Sequence, residues 1–482
     1  MGDQPIVAIH LDLKGVQPRP AYLPRYLADL ASQGVNAVLV EYEDVFPFRG
    51  IRIALDPSSI WPLRRIARFE EEARGCGIEI IPLQQCLGHL EYLLRWARYR
   101  GFAENRGYPC TLCVSNARGK ALVLDMLGQM IEAHPGSRYV HLGMDEAHGL
   151  ATCPRCRKRG DALTVFEEHL EDLCALCERH GRTPILWSDM LEDHFRPGVL
   201  AAFRKRVVLA TWDYGSHYAR ADLSVRLCGR RVSRWWLEHP EDPSAPPIGE
   251  GTPFIEDLPA PGARALAPFR RGRGAVPLFQ ADLWTRLGFR VLNATLVRAS
   301  AHGPVLPDYN LIRSNIAAHG RAARRTGHLG LIGTCWERGT TFCPPNFNMD
   351  LIWPAVGWLG EALGRPASPF WPGLAARTVR RIVSQLGRCK RDWRLEGKIA
   401  AEMERLAPRA RAHRHEWHSL ALMARVLRLH RRAEFAQSEV DFFDANVHPV
   451  DSEWRRRLAD QAGIRRDLRA LRRRVRAHFG KR

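Results

Sequence analysis

Short apolar runs rich in β-branched residues alternate along the chain with longer stretches whose apolar positions recur every three to four residues. The first kind reads as buried strands and the second as helices. Strands are predicted at residues 5–13, 36–42, 78–83, 138–143, 183–187, 206–211, 290–295 and 329–334. Helices are predicted at 22–33, 60–74, 90–99, 120–133, 163–180, 278–287 and 310–326. Apolar strands separated by helices pair in parallel through crossover connections. A closed (β/α)8 TIM barrel of the α/β class is the simplest solution. An open doubly wound sheet is the alternative, but no Gly-rich phosphate loop follows the first strand. A Pro- and Gly-rich stretch, 238–268, interrupts the rhythm and reads as a long loop. Beyond about residue 365 the strand signal stops. Residues 377–386, 394–406, 415–434 and 451–479 read as helices, with Pro408 and Pro449 as breakers. The expected division is a barrel over 1–360 and a basic helical C-terminal region over 361–482.

In a parallel barrel the C-terminal strand ends open into one mouth. Seven of the eight ends are polar or aromatic. The first carries His10, Asp12 and Lys14, the second Glu41, Tyr42, Glu43 and Asp44, and the third Gln84, Gln85 and His89. The fourth carries His141, Asp145 and Glu146, the fifth Trp187, Ser188 and Asp189, and the sixth Trp212, Asp213 and Tyr214. The eighth carries Thr334, Trp336 and Glu337. Indole faces stack on a sugar ring while carboxylates and imidazoles bond its hydroxyls. Asp145 and Glu146 are the sharpest feature. Side chains alternate along a strand, so adjacent carboxylates at its end point different ways and can take different roles. Crowding raises the pKa of at least one, as a general acid requires. Read alone, the dipeptide is better taken as the acidic first turn of a helix; its setting reverses that preference.

Composition narrows the classes. The 482 residues are 45% apolar and 26% charged, which excludes a disordered tail, a collagen and a coiled coil. A chain of this length buries a large core without disulfide staples. No run approaches ~20 apolar residues, so neither a spanning helix nor a membrane partner is expected. The net charge of +20 comes from 65 arginines and only seven lysines. Much of it lies in 361–482, with 29 basic against 14 acidic residues. An anionic partner would be sought there, for example at the arginine runs 455–457 and 472–474. A solvated helix face is the preferred reading, and no nucleic acid is expected. The start shows no basic, apolar leader, so the 12 cysteines are expected in a reducing cytoplasm. Cys110 and Cys113, with Cys153 and Cys156, form two C-x-x-C pairs in the loops after strands three and four. Four thiolates so spaced suit a tetrahedral structural zinc; the alternative is free thiols. Cys174 and Cys177 read as one buried helix face.

The segment His141-Leu-Gly-Met-Asp-Glu-Ala-His148 resembles the H-x-G-x-D-E signature of family-20 glycoside hydrolases, the β-N-acetylhexosaminidases. Within that family it is similar to the hexosaminidase D branch. Supporting pieces are His-Leu-Asp-Leu-Lys-Gly at 10–15, Glu-Tyr-Glu-Asp-Val-Phe-Pro at 41–47, Gly-His-Leu-Glu at 88–91, Trp-Ser-Asp-Met at 187–190 and Trp-Asp-Tyr at 212–214. They occur in the family's order and span about residues 7–360. The resemblance implies a carbohydrate substrate ending in an N-acetylhexosamine and a retaining mechanism. It departs from the usual two-carboxylate scheme, because the substrate's 2-acetamido carbonyl is the nucleophile and closes to an oxazolinium. Glu146 would be the acid and base, and Asp145 would hold the acetamido group. Tyr214 would bond the acetamido oxygen, and Trp187, Trp212 and Trp336 would wall the pocket. Asp12, His89, His141, Asp189 and Glu337 are further substrate-binding candidates. Many secreted members carry an Arg after the first-strand Asp. This chain offers Asp12 and Lys14 instead, which leaves GlcNAc against GalNAc open. No cofactor is implied for the chemistry. The competing readings are a non-catalytic barrel that binds N-acetylhexosamines, a barrel glycosidase with a protein nucleophile, and a nucleic-acid-associated protein acting through 361–482.

Overall fold

The computed structural model describes residues 4–14, 17–196, 198, 201–214, 225–232, 251–252, 258–269, 280–298, 306–336, 346–365, 367–388, 393–429 and ten helical residues between 466 and 478. Eleven strands are described: β1 (Ile6–Asp12), β2 (Ala37–Glu41), β3 (Glu79–Leu83), β4 (Tyr139–His141), β5 (Thr183–Trp187), β6 (Val208–Trp212), β7 (Val225–Leu227), β8 (Arg230–Val232), β9 (Gly251–Thr252), β10 (Arg290–Arg298) and β11 (Gly330–Cys335). Eight of them close a parallel barrel in the order β1-β11-β10-β6-β5-β4-β3-β2. This is the (β/α)8 barrel that the alternating pattern predicts.

Side-chain alternation sorts each strand into two faces. Ile6, Ala8, Ala37, Leu39, Ile81, Leu83, Ile185, Trp187, Val208, Ala210, Leu292, Ala294 and Ile332 fill the barrel interior. The intervening residues, such as Val7, Ile9, Val38 and Val40, pack outward under the helices. Continuing the inward parity toward the mouth reaches His10 and Asp12 on β1, Glu41 on β2, Trp187 on β5 and Trp212 on β6. Sequence position alone therefore aims these groups at one cavity.

Side-chain caps set where the outer helices begin. Asn116 accepts from the Gly119 amide, Asp161 from Thr164 and Asp308 from Leu311. Helix Tyr309–Thr326 ends on Gly327 in the left-handed conformation. The stretch predicted as a long loop contains secondary structure among its described residues. It holds β9 and the helix Ala260–Leu266, and β9 joins β7 and β8 in a small sheet. Such short strands carry too few residues to show a period.

The helical C-terminal region packs directly on the barrel, and the helix Trp353–Ala362 runs across residue 360. Helices Ala376–Arg388 and Trp393–Leu406 match the predicted ones, and residues 414–429 are helical. Most of the helix predicted over 451–479 lies outside the described residues. Among those described, no helix is long and apolar enough to cross a membrane.

Candidate active site

Strand β4 is only three residues long, and the chain turns sharply after it. Gly143, Met144 and Glu146 all adopt positive φ, at 64°, 72° and 43°. Left-handed backbone at a non-glycine residue is strained and persists only where its surroundings enforce it. Two neighbours do so here. The Gly143 amide donates to Nδ1 of His141 at 3.0 Å, and the Glu146 amide donates to Asp189 Oδ2 at 2.8 Å. A Cβ on Gly143 would lie 1.9 Å from Gln85 Oε1, so the turn also needs a residue without a side chain.

The turn brings Asp145 and Glu146 to one imidazole. His89 Nε2 lies 3.2 Å from Asp145 Oδ2 and 3.2 Å from Glu146 Oε2. The two carboxylates differ in exposure: the Asp145 side chain is 9% exposed and that of Glu146 is 41%. Asp145 Oδ1 is buried with no hydrogen-bond partner among the described residues. Burial, and then the charge of Asp145, push Asp189 well above the usual carboxylate range.

The opposite wall is aromatic. Trp336 Nε1 donates to Tyr214 Oη at 3.0 Å, and Tyr214 stacks on Trp212 with centroids 5.6 Å apart. Trp187 lies 5.8 Å from Trp336 and 4.4 Å from His141, centroid to centroid. Burial raises the Tyr214 phenol, and the charges of Asp145 and Glu146 add to the shift. Tyr214 thus keeps its proton and feels both carboxylates. Burial, with His10 beside it, lowers His141 to about 3, so its ring is neutral. The Trp187 Nε1 and His141 Nε2 atoms are buried without hydrogen-bond partners among the described residues.

A second polar cluster closes the side under β1 and β2. Lys14 Nζ reaches Asp12 at 3.1 Å, Glu41 at 2.7 Å and Glu43 at 3.4 Å. Burial opposes the charge of Glu41, but Lys14 and His10 outweigh it and hold its carboxyl well below the usual range. Burial pushes Glu43 up to about 8 against the pull of Lys14. The chain therefore puts a lysine–carboxylate network where the first-strand end was expected to grip a ligand. Of the predicted site residues, Asp145, Glu146, His89 and Asp189 meet directly, and Trp187, Trp212, Tyr214 and Trp336 form one connected wall. Asp12 joins the Lys14 network, and Glu337 lies outside the described residues.

The four cysteines do not all converge. Cys113 Sγ lies 3.6 Å from both Cys153 Sγ and Cys156 Sγ, whereas Cys110 Sγ turns to the Thr111 hydroxyl at 3.5 Å. Glu104 takes the fourth place, with Oε2 3.1 Å from Cys156 Sγ. The four-cysteine set is corrected to three cysteines and a glutamate. Cys110 sits in a turn, where its carbonyl accepts the Leu90 amide at 2.9 Å. No spacing motif marks Glu104; only loop geometry brings it there. Cys174 and Cys177 are buried on one helix, as predicted.

A closed parallel barrel with a paired carboxylate and an aromatic wall at its C-terminal mouth is an arrangement able to bind and act on a sugar. Comparison with known proteins narrows the class. Residues 73–241 match the glycosyl hydrolase family 20 catalytic domain. Human hexosaminidase D is 32% identical over 237 residues, covering 45% of this chain and 45% of the human protein. Bovine hexosaminidase D is 32% identical over 223 residues, covering 43% of this chain and 62% of that protein. The matches thus span roughly half the length of these curated relatives. The solved chitobiase of Flavobacterium johnsoniae shares the fold, with a TM-score of 0.51 at 12% identity, over 96% of this chain and 67% of that one. Over the matched residues the chain is similar to family-20 glycoside hydrolases.

Proposed function

We propose that this protein is an exo-acting β-N-acetylhexosaminidase that hydrolyses terminal β-linked GlcNAc or GalNAc with retention. The observation that carries the reading is the convergence of Asp145 and Glu146 on His89 Nε2, 3.2 Å from each. The pair combines a more open acid with a buried acceptor, which suits attack by the substrate's own acetamido carbonyl. The names of the human and bovine relatives support the same activity.

In this reading the more open Glu146 protonates the departing glycosidic oxygen and then takes a proton from water. Buried Asp145 accepts the acetamido N–H, holds the carbonyl in line with C1 and offsets the charge of the oxazolinium. The Tyr214 hydroxyl bonds the acetamido oxygen, and Trp187, Trp212 and Trp336 enclose the group. His89 orients both carboxylates, and Asp189 fixes the Glu146 backbone. His141 shapes the turn and walls the pocket beside Trp187. Asp12 meets sugar hydroxyls beside Lys14. No cofactor takes part. A cytoplasmic setting belongs to the same reading, because clustered thiols persist in a reducing compartment.

A panel of p-nitrophenyl glycosides tests this. The β-GlcNAc or β-GalNAc substrate is expected to turn over, and the β-glucoside, lacking the acetamide, to be cleaved poorly. Glu146→Gln should lose about 10²–10⁴ in kcat, as removal of a general acid does. Asp145→Asn should lose about 10²–10³. A thiazoline mimic of the cyclised intermediate should inhibit. Equal cleavage of the glucoside would point to a protein nucleophile. Sugar binding without turnover would leave a glycan-binding barrel.

A further inference from the structure

The sulfur cluster stands apart from the carboxylate pair yet is tied to it. Cys113 and Cys156 are fully buried and Glu104 is 6% exposed. One ligand atom from each of Glu104, Cys113, Cys153 and Cys156 lies within 4.8 Å of the others. A tetrahedral zinc with metal–sulfur bonds of about 2.3 Å places its sulfurs roughly 3.8 Å apart. The two short sulfur pairs here measure 3.6 Å, far beyond a disulfide's ~2.05 Å. Cys153 caps the short helix Pro154–Arg157, and its Sγ accepts the Cys156 amide at 3.4 Å. That N–H···S bond favours a sulfur that carries negative charge. The Ser115 hydroxyl is 3.2 Å from Cys156 Sγ and can serve it in the same way. Glu104 has no Lys, Arg or His partner among the described residues. Its Oε1 accepts the Cys153 amide at 2.8 Å, and its Oε2 faces the sulfurs. A buried carboxylate is normally paired or metal-bound.

We propose that Cys113, Cys153, Cys156 and Glu104 hold one structural zinc ion that fastens the loop after β3 to the loop after β4. Binding releases the three thiol protons and moves no electrons. All four positions are filled by protein, so the ion is structural and binds no substrate. Its purpose follows from where the two loops go. Leu90 and Leu112 amides bond to the Cys110 and Leu87 carbonyls at 2.9 Å each, bracketing His89 between them and the ligand loop. The Thr111 hydroxyl donates to the His148 carbonyl at 3.0 Å, two residues past Glu146. The clamp therefore sets the distance between His89 and the carboxylates it bridges.

The test is metal content of the full-length protein purified without added metal or chelator. About one zinc per chain is expected, and less than ~0.3 overturns the site. Cys113→Ser and Cys156→Ser should lose most of the metal, Glu104→Gln should retain it less tightly against a competing chelator, and Cys110→Ser should keep it. Loss from Cys110→Ser with full retention in Glu104→Gln would overturn the ligand set. Because serine variants can misfold, wild-type protein exchanged into Co²⁺ gives a second readout. Strong tetrahedral visible bands with thiolate-to-cobalt charge transfer are expected, and their absence overturns the proposal. The metal count does not depend on turnover, so it fails or stands separately from the glycosidase reading.

Discussion

At Gly88 the lack of a side chain is what lets the loops after β3 and β4 meet. A Cβ there would lie 2.0 Å from the Asp145 carbonyl oxygen and 3.3 Å from the Ala147 amide nitrogen, both backbone atoms. The flanking residues already hold His89 in the left-handed region, at φ 52°. Gly88→Ala must therefore push the His89 loop away from Asp145. The expected result is a loss of about 1–3 kcal/mol in stability, as overpacking costs, with at least a tenfold fall in kcat on the p-nitrophenyl substrate. Unchanged kcat alongside an unchanged denaturation midpoint would contradict it. The need for glycine here is invisible in the chain, since Gly-His-Leu-Glu reads as a polar strand end and a piece of the family resemblance, and neither shows what would meet a Cβ. His141 makes the same point. Its place beside the signature carboxylates is legible, but its bond to the Gly143 amide, which shapes the turn, depends on how the backbone bends.

Among the elements, the short helix Asp189–Asp193 after β5 concentrates buried acid. Its Glu192 is buried, accepts from the Ser188 hydroxyl at 2.6 Å and from Trp284 Nε1 at 3.3 Å, and burial pushes it up to about 7 despite both bonds. The unfolded chain gives up this proton near 4.5 and the folded protein holds it to about 7. The contribution to stability is thus full at acid pH and is lost as pH rises from about 4.5 through 7. Glu192→Gln keeps an acceptor oxygen for both donors and has no proton to lose. It should match wild type near pH 4.5 and exceed it by roughly 1–3 kcal/mol at pH 8. Parallel urea midpoints for the two proteins across that range would rule this out. Strands were legible at this scale because period-two alternation is strong where one face is buried; β5 matches its predicted bounds of 183–187. The helix predicted over 90–99 is instead two short ones, Glu91–Leu94 and Ala97–Arg100, with extended Trp96 between them.

In the whole molecule, the region after residue 365 is joined to the barrel through an aromatic seam. Phe370 stacks between Trp353, at 4.4 Å, and His413, at 4.0 Å. Trp417 is fully buried, meets Trp371 edge-on at 5.2 Å and donates to the Met403 carbonyl at 2.8 Å. Arg25 on the first barrel helix pairs with Glu416 at 3.0 Å. Trp417→Ala should cost about 3–5 kcal/mol, the usual range for emptying a buried indole site. A single melting transition shifted down for barrel and C-terminal helices together is expected. A barrel transition left at the wild-type midpoint would show that the seam contributes nothing to it.

The local periodicities of the chain determined the barrel and the order of its polar strand ends, and its short motifs carry the resemblance to family 20, since each is written in residues near one another. Tertiary structure decided which of those ends touch. Glu104 replaces Cys110 beside the sulfurs, Asp189 reaches across to the Glu146 amide, and Lys14 is claimed by Glu41 and Glu43. Each of these depends on turns with left-handed or irregular backbone. Such turns carry no period, so the direction in which they send a side chain is set only when the neighbouring loops pack against them.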